Sequence, residues 1–525
     1  MSPPDHNPAE PVRLLALPGP GQGHRRFMAA LALIPAIAFL ATVLAPPMNH
    51  DVAAILDFTQ RWWAGEALYR EIIDVNPPLI FVLTLGPVWL ADLLGTDPVM
   101  VLLVFVLALC GLALVLTQRL RPGLAAGPIE ARCLDFALPL ILLAAGYDFA
   151  QREHLMLVAT LPYLVMAARR AEGLGTSHGL MIGVALLAAM GFALKPHFLA
   201  IPMLVELFLL RRRGLARSLR DPVPWIMAAA FVAYLAAIWL FFPDYLGITV
   251  PLALAYYAPA GTLADMLLNE RMAPALMLFL PAAWFAFRGG GVLAPFLALA
   301  GLGGLIAALA QQRGWTYHVL PIRLMGGLLL VLLLARWLDR SLPGERRLTT
   351  APGLAALAAA LLGLHSMQGA EAPWRELNFA RSWPGVISAT LQRAAPGGRV
   401  LVLSPDIHPV YPALNYAQAR STLPTMNLWL LQGAYRECLP NGARYREVAE
   451  MAAAERDFRQ TVLRDFTRAP PEVVMAARNT SIPWCGRAFD VLEYFSRDAG
   501  FAATFRRYRL IAEFPDYRIF QREGP

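Results

Sequence analysis

The sequence predicts an α-helical protein that crosses a membrane about eleven times and carries a small α/β domain at its C-terminal end. Of the 525 residues, 57% are hydrophobic, and the mean hydropathy is +0.50. Charged residues make up only 16% of the chain, whereas soluble proteins contain about 25%. Beyond residue 366 the composition becomes that of an ordinary soluble domain, so residues 367–525 should fold separately.

Hydrophobic segments of sufficient length predict the spans, because about 20 helical residues cross the ~30 Å hydrocarbon core of a bilayer. Residues 1–26 are polar and rich in proline, and we expect them to form a disordered cytoplasmic tail. Residues 27–366 should form the transmembrane domain. Spans are predicted over residues 27–46, 99–118, 134–147, 154–168, 179–194, 197–210, 224–242, 273–287, 291–310, 321–336 and 351–366.

The segment Leu79–Leu94 decides the topology, since it is apolar but only marginally long enough to span. If it does not span, the arginine clusters after the later spans lie on the same side as Arg25 and Arg26, as the positive-inside rule requires. We therefore assign residues 47–98 to one outer loop. The arginines stand in short connectors and form no continuous basic face, which argues against nucleic-acid binding despite the net charge of +8.

The first outer loop contains a stretch, residues 48–79, that cannot lie in hydrocarbon. It contains several acidic and basic residues, and each ionised side chain would cost about 2.5–3.5 kcal/mol there. Its apolar positions recur at helical spacing, which predicts an interfacial amphipathic helix that ends near Gly65. Asp51 falls in the first turn of this helix, where it could be an N-cap or a functional carboxylate.

The C-terminal domain should be a small α/β domain on the outer face. Residues 399–404 and 471–479 predict buried strands, residues 508–523 a terminal hairpin, and residues 444–468 a charged helix. No glycine-rich loop follows residues 399–404, so we predict no nucleotide site there. Cys438 and Cys485 either form a disulfide in an exported domain or remain two buried thiols.

The first outer loop carries the best motif for a family resemblance. An acidic residue just after the first span, the ending ALYREIIDVNPPL with Asn76, many spans and an exported C-terminal domain resemble the GT-C superfamily. The nearest likeness is to bacterial transferases related to protein O-mannosyltransferases and the lipid A aminoarabinose transferase. The resemblance implies a multi-pass enzyme of the bacterial inner membrane, with a periplasmic C-terminal domain. It would transfer a sugar, with inversion, from a polyprenyl-phosphate donor to a lipid, glycan or protein acceptor.

The same resemblance assigns roles to three residues. Asp51 matches the family's first-loop carboxylate, which serves as a base or is associated with a metal ion. Glu153 is the better match than Asp148 to a second acidic position, and a salt bridge between two spans is the alternative explanation for it. A divalent metal ion held by Asp51 and Glu153 is left open, because His50 precedes Asp51 where many relatives have an Asp-Glu pair. Lys195 matches a family lysine and could bind a lipid phosphate or extend to the interface.

Other polar side chains of the outer loops complete the candidate substrate site. Arg313, Tyr317 and His318 lie in one short outer loop and suit contact with phosphate or sugar, although a lone histidine is more often structural. The remaining candidates are His50, Arg61, Arg70, Asn76, Arg152, His154 and His197. The sequence also allows two alternative functions, namely a transporter or flippase of lipid-linked saccharides and a noncatalytic envelope scaffold.

Overall fold

The computed structural model describes residues 21–124, 127–257, 262–367, 373–480, 482 and 489–524. Short 3₁₀ turns lie at Gly146–Asp148 and Pro196–Leu199, and a π-helical turn at Tyr245–Thr249. The first helices of the bundle are α1 (Gln22–Leu44), α2 (His50–Trp63), α3 (Leu79–Leu94), α4 (Pro98–Leu120), α5 (Pro128–Leu143), α6 (Arg152–Ala171), α7 (His178–Ala193) and α8 (Ala200–Arg213). They are followed by α9 (Leu215–Leu219), α10 (Pro222–Phe241), α11 (Val250–Tyr256), α12 (Leu263–Leu267), α13 (Met272–Gly289), α14 (Ala294–Gln311), α15 (Thr316–Ser341) and α16 (Gly344–Ser366).

The helices confirm a multi-pass membrane protein, and each of the eleven predicted spans coincides with one of them. In the described part of the chain, seven helices are long and apolar enough to cross a membrane: α1, α4, α10, α13, α14, α15 and α16. The other four predicted spans are α5, α6, α7 and α8. Helix α6 carries several polar residues. Nearly all of its side chains are buried inside the protein, so these polar residues do not face lipid.

One end of the bundle, which we call the arginine face, gathers the arginines that end or follow α4, α6, α8 and α15. They donate hydrogen bonds to backbone carbonyls and carboxylates of neighbouring connectors, such as Arg169 to the Pro122 carbonyl at 2.8 Å. Three more contacts are Arg121 with Asp135 at 2.9 Å, Arg212 with Glu172 at 2.5 Å, and Arg340 with the Gly289 carbonyl at 3.2 Å. The opposite end carries His50, Arg152 and Lys195, and we call it the cavity face.

Both ends of α3 lie on the cavity face. At its start, the Leu79 amide donates to the Tyr234 hydroxyl of α10 at 3.3 Å, and Asn76 and Pro77 just before it line the cavity described below. At its end, Asp92 accepts a hydrogen bond from the Trp63 indole, the last residue of α2, also at 3.3 Å. Helix α3 therefore runs beside α2 and returns the chain to the face from which it started. This geometry supports the single outer loop over residues 47–98, which we retain as a proposal.

The C-terminal domain contains a five-stranded sheet. Its elements are α17 (Trp383–Ala394), β1 (Arg399–Leu403), α18 (Val410–Tyr416), β2 (Arg420–Ser421), α19 (Trp429–Ala434), α20 (Ala453–Arg468), β3 (Val473–Ala477), α21 (Val491–Ser496), α22 (Ala499–Phe505), β4 (Tyr508–Glu513) and β5 (Tyr517–Arg522). The strand order in the sheet is β2-β1-β3-β5-β4. Strands β1, β2 and β3 are parallel, whereas β5 is antiparallel to both β3 and β4.

The predicted α/β domain is confirmed, with one difference at the charged helix. Helix α20 begins at Ala453 rather than at residue 444. Residues 448–450 instead form a 3₁₀ turn closed by a capping box between Glu447 and Glu450. Arg446 then reaches the buried Glu455 at 3.0 Å from outside the helix. The charged sequence predicted a helix here. Instead, the capping box satisfies backbone N–H groups within the 3₁₀ turn.

The domain packs directly on the first interfacial helix, α2. The Tyr411 hydroxyl donates to Asp57 at 2.9 Å, and Arg61 donates to the Leu423 carbonyl at 2.8 Å. Asn415 donates to the Ala53 carbonyl at 2.9 Å. These bonds join α2, and therefore Asp51 at its first turn, to helix α18 and the segment after β2.

Candidate active site

Asp51 lies at the start of α2 but does not cap it. The N-cap is Asn49, whose side-chain oxygen accepts the Asp51 amide hydrogen at 2.9 Å. The Asp51 carboxylate is therefore available for tertiary contacts. Its Oδ2 accepts hydrogen bonds from Gln151 at 3.0 Å and from Arg152 at 3.3 Å. Its Oδ1 faces Nε2 of His50 at 3.5 Å.

Opposing effects set the pKa of Asp51. Burial alone would raise it, because a carboxylate loses solvation in the interior. The positive charge that His50 carries when it is protonated, the charge of Arg152, the hydrogen bond from Gln151 and the charge of Lys195 act in the other direction and prevail. The pKa of Asp51 therefore lies below its ordinary value, and the group is a carboxylate at neutral pH. Helix α2 adds to this effect, because an anion at a helix N-terminus is stabilised by the helix dipole.

Arg152 connects the first outer loop to the start of α6. One guanidinium nitrogen donates to Asp51, and another donates to the side-chain oxygen of Asn76. Asn76 belongs to the NPPL motif of the first loop, and its amide groups also bond to Asp74 at 2.7 and 2.8 Å. Arg152 therefore fixes the position of Asp51 relative to a motif 25 residues further along the chain.

Glu153 and Lys195 form a buried ion pair next to Arg152. The Lys195 ammonium donates to Glu153 at 2.7 Å and to Gln311 at 3.0 Å. Burial lowers the pKa of Lys195 to about 8, with Glu153 opposing this effect and Arg152 adding to it. Glu153 thus links the start of α6 to the residue that follows α7 and its C-cap, and Lys195 places a cation in the cavity that also contains Asp51.

A large cavity opens on the cavity face between the helical bundle and the C-terminal domain. It encloses about 3770 Å³, including the solvent at its mouth. Residues after β1 contribute to its wall, as expected at the carboxyl end of a parallel strand. The candidate residues among its lining are His50, Asp51, Asn76, Arg152, Lys195, His197, Arg313, Tyr317 and His318.

Aromatic rings and the Arg313 guanidinium form one wall of this cavity, which we call the aromatic wall. The Arg313 guanidinium lies between the rings of Tyr257 and Trp315, at 4.0 and 4.6 Å from their centres. Trp429 of the C-terminal domain meets Tyr257 edge-on at 5.8 Å. Trp315 stacks on His318 with ring centres 5.5 Å apart. Such a wall offers flat apolar surface and positive charge together, which suits a sugar joined to a phosphate.

Comparison with known proteins shows the fold to which this cavity belongs. Two crystal structures of ArnT from Cupriavidus metallidurans align with 96% of this chain. The apo structure has a TM-score of 0.57 at 14% sequence identity over 99% of its own chain. The structure described as bound to undecaprenyl phosphate has a TM-score of 0.55 at 11% identity over its full length. This chain has a GT-C-like fold. No family model and no curated protein matches the sequence.

Four predicted site residues do not line this cavity. Glu153 is buried behind it, next to Lys195. Arg61 is buried against Glu66 at 2.6 Å and helps to hold the C-terminal domain. Arg70 is exposed and pairs with Asp244 at 3.1 Å. His154 points into the bundle, where its ring contacts the Leu142 carbonyl at 2.8 Å. Contact between these four side chains and substrate would require a rearrangement.

Other cavity residues were missed by the sequence analysis. Tyr147 stands in the stretch that supplied Arg152, so proximity in sequence could have indicated it. Asp74 lies two residues before Asn76, and burial raises its pKa to about 6 despite hydrogen bonds from Asn76. Asp406 and His408 come from the segment after β1. That segment was set aside because it lacks a phosphate-binding loop.

The donor atoms around Asp51 do not fit a resident divalent metal ion. Among the residues that the structure describes, no group of three His, Cys, Asp or Glu side chains could hold one. Glu153 is paired with Lys195, and Asp51 accepts from Arg152. Positive charges thus occupy the positions where a cation would have to bind.

Cysteines occur both in the helical bundle and in the C-terminal domain. Cys438 is disulfide-bonded, whereas Cys485, its expected partner, lies outside the described residues. Cys110 and Cys133 are buried free thiols within α4 and α5.

Proposed function

We propose that this protein is a membrane glycosyltransferase that moves a sugar from a polyprenyl-phosphate donor to a lipid, glycan or protein acceptor. One observation carries the proposal: in a fold shared with ArnT, a carboxylate and several cations meet in one open cavity. The ArnT structure described as bound to undecaprenyl phosphate supports a polyprenyl phosphate as the lipid carrier of the donor.

The chemistry of such a transfer matches the groups present. A sugar phosphate already has a good leaving group, so no general acid is needed, in contrast to hydrolysis of a glycoside by two carboxylates. A base must accept the proton of the acceptor hydroxyl, and we assign this role to the site of Asp51. A single displacement at the anomeric carbon gives inversion.

Cations in the cavity wall would neutralise the departing phosphate. Lys195 and Arg152 lie beside Asp51, and Arg313 lies on the aromatic wall. Preorganised positive charge in a partly buried site stabilises a developing anion more strongly than it would in water. These three side chains are our candidates for the phosphate of the donor.

A lipid-linked donor must also reach the cavity from the membrane. Helix α11 supplies an apolar part of the cavity wall through Val250, Ala253 and Leu254. The Leu254 side chain is 85% exposed, so this helix offers apolar surface both to the cavity and to its surroundings. We propose that the prenyl chain approaches along α11.

The position of the arginine face supports the proposed orientation. Cytoplasmic loops of membrane proteins carry an excess of lysine and arginine. With the arginine face in the cytoplasm, the cavity and the C-terminal domain lie on the periplasmic side of a bacterial inner membrane. Lipid-linked sugars would then be used on the outer leaflet.

Replacement of Asp51 by Asn tests this proposal. Purified wild-type protein should transfer sugar from at least one member of a panel of polyprenyl-phosphate sugars, and D51N should fold but lose transfer. Asp92→Asn is the matched control, because Asp92 is exposed on α3 and its side chain accepts from the exposed Trp63 indole. Equal transfer by D51N and wild type would remove Asp51 from the mechanism.

A further inference from the structure

Three polar side chains form a row along the cavity wall at the start of α2. The hydroxyl oxygen of Tyr147 lies 2.9 Å from Nδ1 of His50, and Nε2 of His50 lies 3.5 Å from Oδ1 of Asp51. All three residues line the cavity. The His50 side chain is 28% exposed and that of Asp51 only 9%. His50 is therefore the more accessible of the two neighbours.

The neighbours of His50 select one arrangement of protons on its ring. Nε2 faces a carboxylate, which favours a proton on that nitrogen. The Tyr147 oxygen already accepts the backbone amide hydrogen of His50 at 3.2 Å. Its own proton is therefore well placed to be donated to Nδ1, which then acts as an acceptor. The row then runs from the Tyr147 hydroxyl, which donates to Nδ1, through the imidazole ring to the Asp51 carboxylate, which Nε2 faces at 3.5 Å.

Asp51 alone is a poor choice as the final proton acceptor. Its Oδ2 already accepts from Gln151 and Arg152, and a carboxylate stabilised by such donors binds a proton weakly. Proton transfer is most effective when the base has an affinity matched to neutral pH, which is a property of imidazole. The remaining oxygen of Asp51 faces that imidazole.

We propose that Tyr147, His50 and Asp51 form a proton relay in which the proton of the acceptor hydroxyl ends on His50. This inference rests on the proposed glycosyl transfer and defines its base as His50 paired with Asp51. The acceptor O–H bond breaks as its oxygen bonds to the anomeric carbon, and the bond from that carbon to the phosphate oxygen breaks, its electron pair leaving with the phosphate. The released proton passes to the Tyr147 oxygen while the Tyr147 proton passes to Nδ1. Asp51 then stabilises the imidazolium.

The other ring that faces His50 does not compete for this proton. His408 of the C-terminal domain meets the His50 ring edge-on, with centres 5.9 Å apart. Burial, with a smaller contribution from His50, lowers the pKa of His408 to about 4. His408 is therefore neutral at physiological pH and serves as a wall against His50.

Removal of the imidazole followed by its return in solution tests the relay. We expect His50→Ala to lower kcat by about 10²- to 10⁴-fold, the usual contribution of a positioned base, with little change in KM. Added imidazole should restore part of the kcat of H50A in a concentration-dependent manner. Tyr147→Phe should also lower kcat. His178→Ala is the matched control, because His178 is exposed at the start of α7, far from the cavity.

The outcomes separate the relay from the function on which it rests. If the wild type transfers sugar but H50A or Y147F keeps the wild-type kcat, the relay is wrong and the proposed function stands. The same holds if imidazole fails to raise the kcat of H50A. Wild type that transfers no sugar from any donor overturns the proposed function. His50→Gln replaces H50A in the same assay if the alanine variant does not fold.

Discussion

The ammonium group of Lys195 lies 2.7 Å from a carboxylate oxygen of Glu153, although 42 residues separate them. Their side chains are only 11% and 2% exposed. Lys195 is the only lysine of the chain, and it lines the cavity while Glu153 lies behind it. The pair therefore sets the charge of the cavity wall next to Asp51 and ties α6 to the end of α7.

Replacement of Glu153 by Gln should destabilise the protein. Removing one partner of a buried ion pair leaves the other charge uncompensated, which costs about 3–5 kcal/mol. Denaturant unfolding of the purified protein in detergent measures this difference. Glu270→Gln is the control, because Glu270 is 82% exposed in its pair with Arg271. Equal unfolding free energies for the two variants would contradict the structural importance of the buried pair.

Arg152 should not tolerate replacement by Lys. The guanidinium bonds to Asp51 and Asn76 together, and a single ammonium group cannot reproduce this geometry. Loss of one charged hydrogen bond costs about 1.5–3 kcal/mol, so we expect kcat/KM for sugar transfer to fall about tenfold to hundredfold. Steady-state kinetics of R152K measure the effect. A wild-type kcat/KM in this variant would show that Arg152 does not position Asp51.

Asp57 should make the attachment of the C-terminal domain depend on pH. Burial raises its pKa from 3.8 to about 6, despite the charge of Arg61 and the hydrogen bond from Tyr411. The folded protein therefore binds a proton that the unfolded chain does not bind between these values. The resulting stability is complete below pH 3.8 and is lost as the pH rises through 6.

The size of this effect can be measured against Asp57→Asn. A shift of this size corresponds to about 3 kcal/mol of pH-dependent stability. The free energy of unfolding of wild type, relative to D57N, should therefore rise as the pH falls from about 7 to about 5. Parallel pH profiles for the two proteins would contradict the assignment of a proton to Asp57.

Trp429 should affect substrate binding more than chemistry. It brings the C-terminal domain to the aromatic wall through its contact with Tyr257. Aromatic pairs contribute about 0.5–1.5 kcal/mol beyond burial, so W429A should raise KM by about twofold to tenfold and leave kcat unchanged. A fall in kcat without a change in KM would place Trp429 at the reacting atoms instead.

The sequence indicated the elements of the fold because their signals are local. Long apolar segments marked the spans, and the strands of the C-terminal domain, such as residues 399–404, are short apolar runs bounded by turn residues. The start of α20 was misplaced because Arg446 and Glu447 stabilise a turn through contacts outside the helix. A count of charges cannot distinguish these two arrangements.

The site was harder to predict, since it is assembled from distant parts of the chain. Gln151 bonds to Asp51 across 100 residues, and Tyr411 bonds to Asp57 across 354. Arg61 shares the first loop with Asp51, yet it serves the domain interface, because a charged side chain on an amphipathic helix can face either neighbour. The position of His408 in the cavity wall depends on where the carboxyl end of β1 points. That direction follows from the orientation of the sheet, which the sequence alone does not give.

The most direct test of this account is the fate of the donor. Purified wild-type protein is incubated with polyprenyl-phosphate sugars and an extract of envelope acceptors, and released polyprenyl phosphate and the anomeric configuration of the product are measured. We predict release of polyprenyl phosphate by wild type, an inverted product, and no release by D51N. Release at the same rate by D51N, or a product with retained configuration, would contradict a single displacement assisted at Asp51.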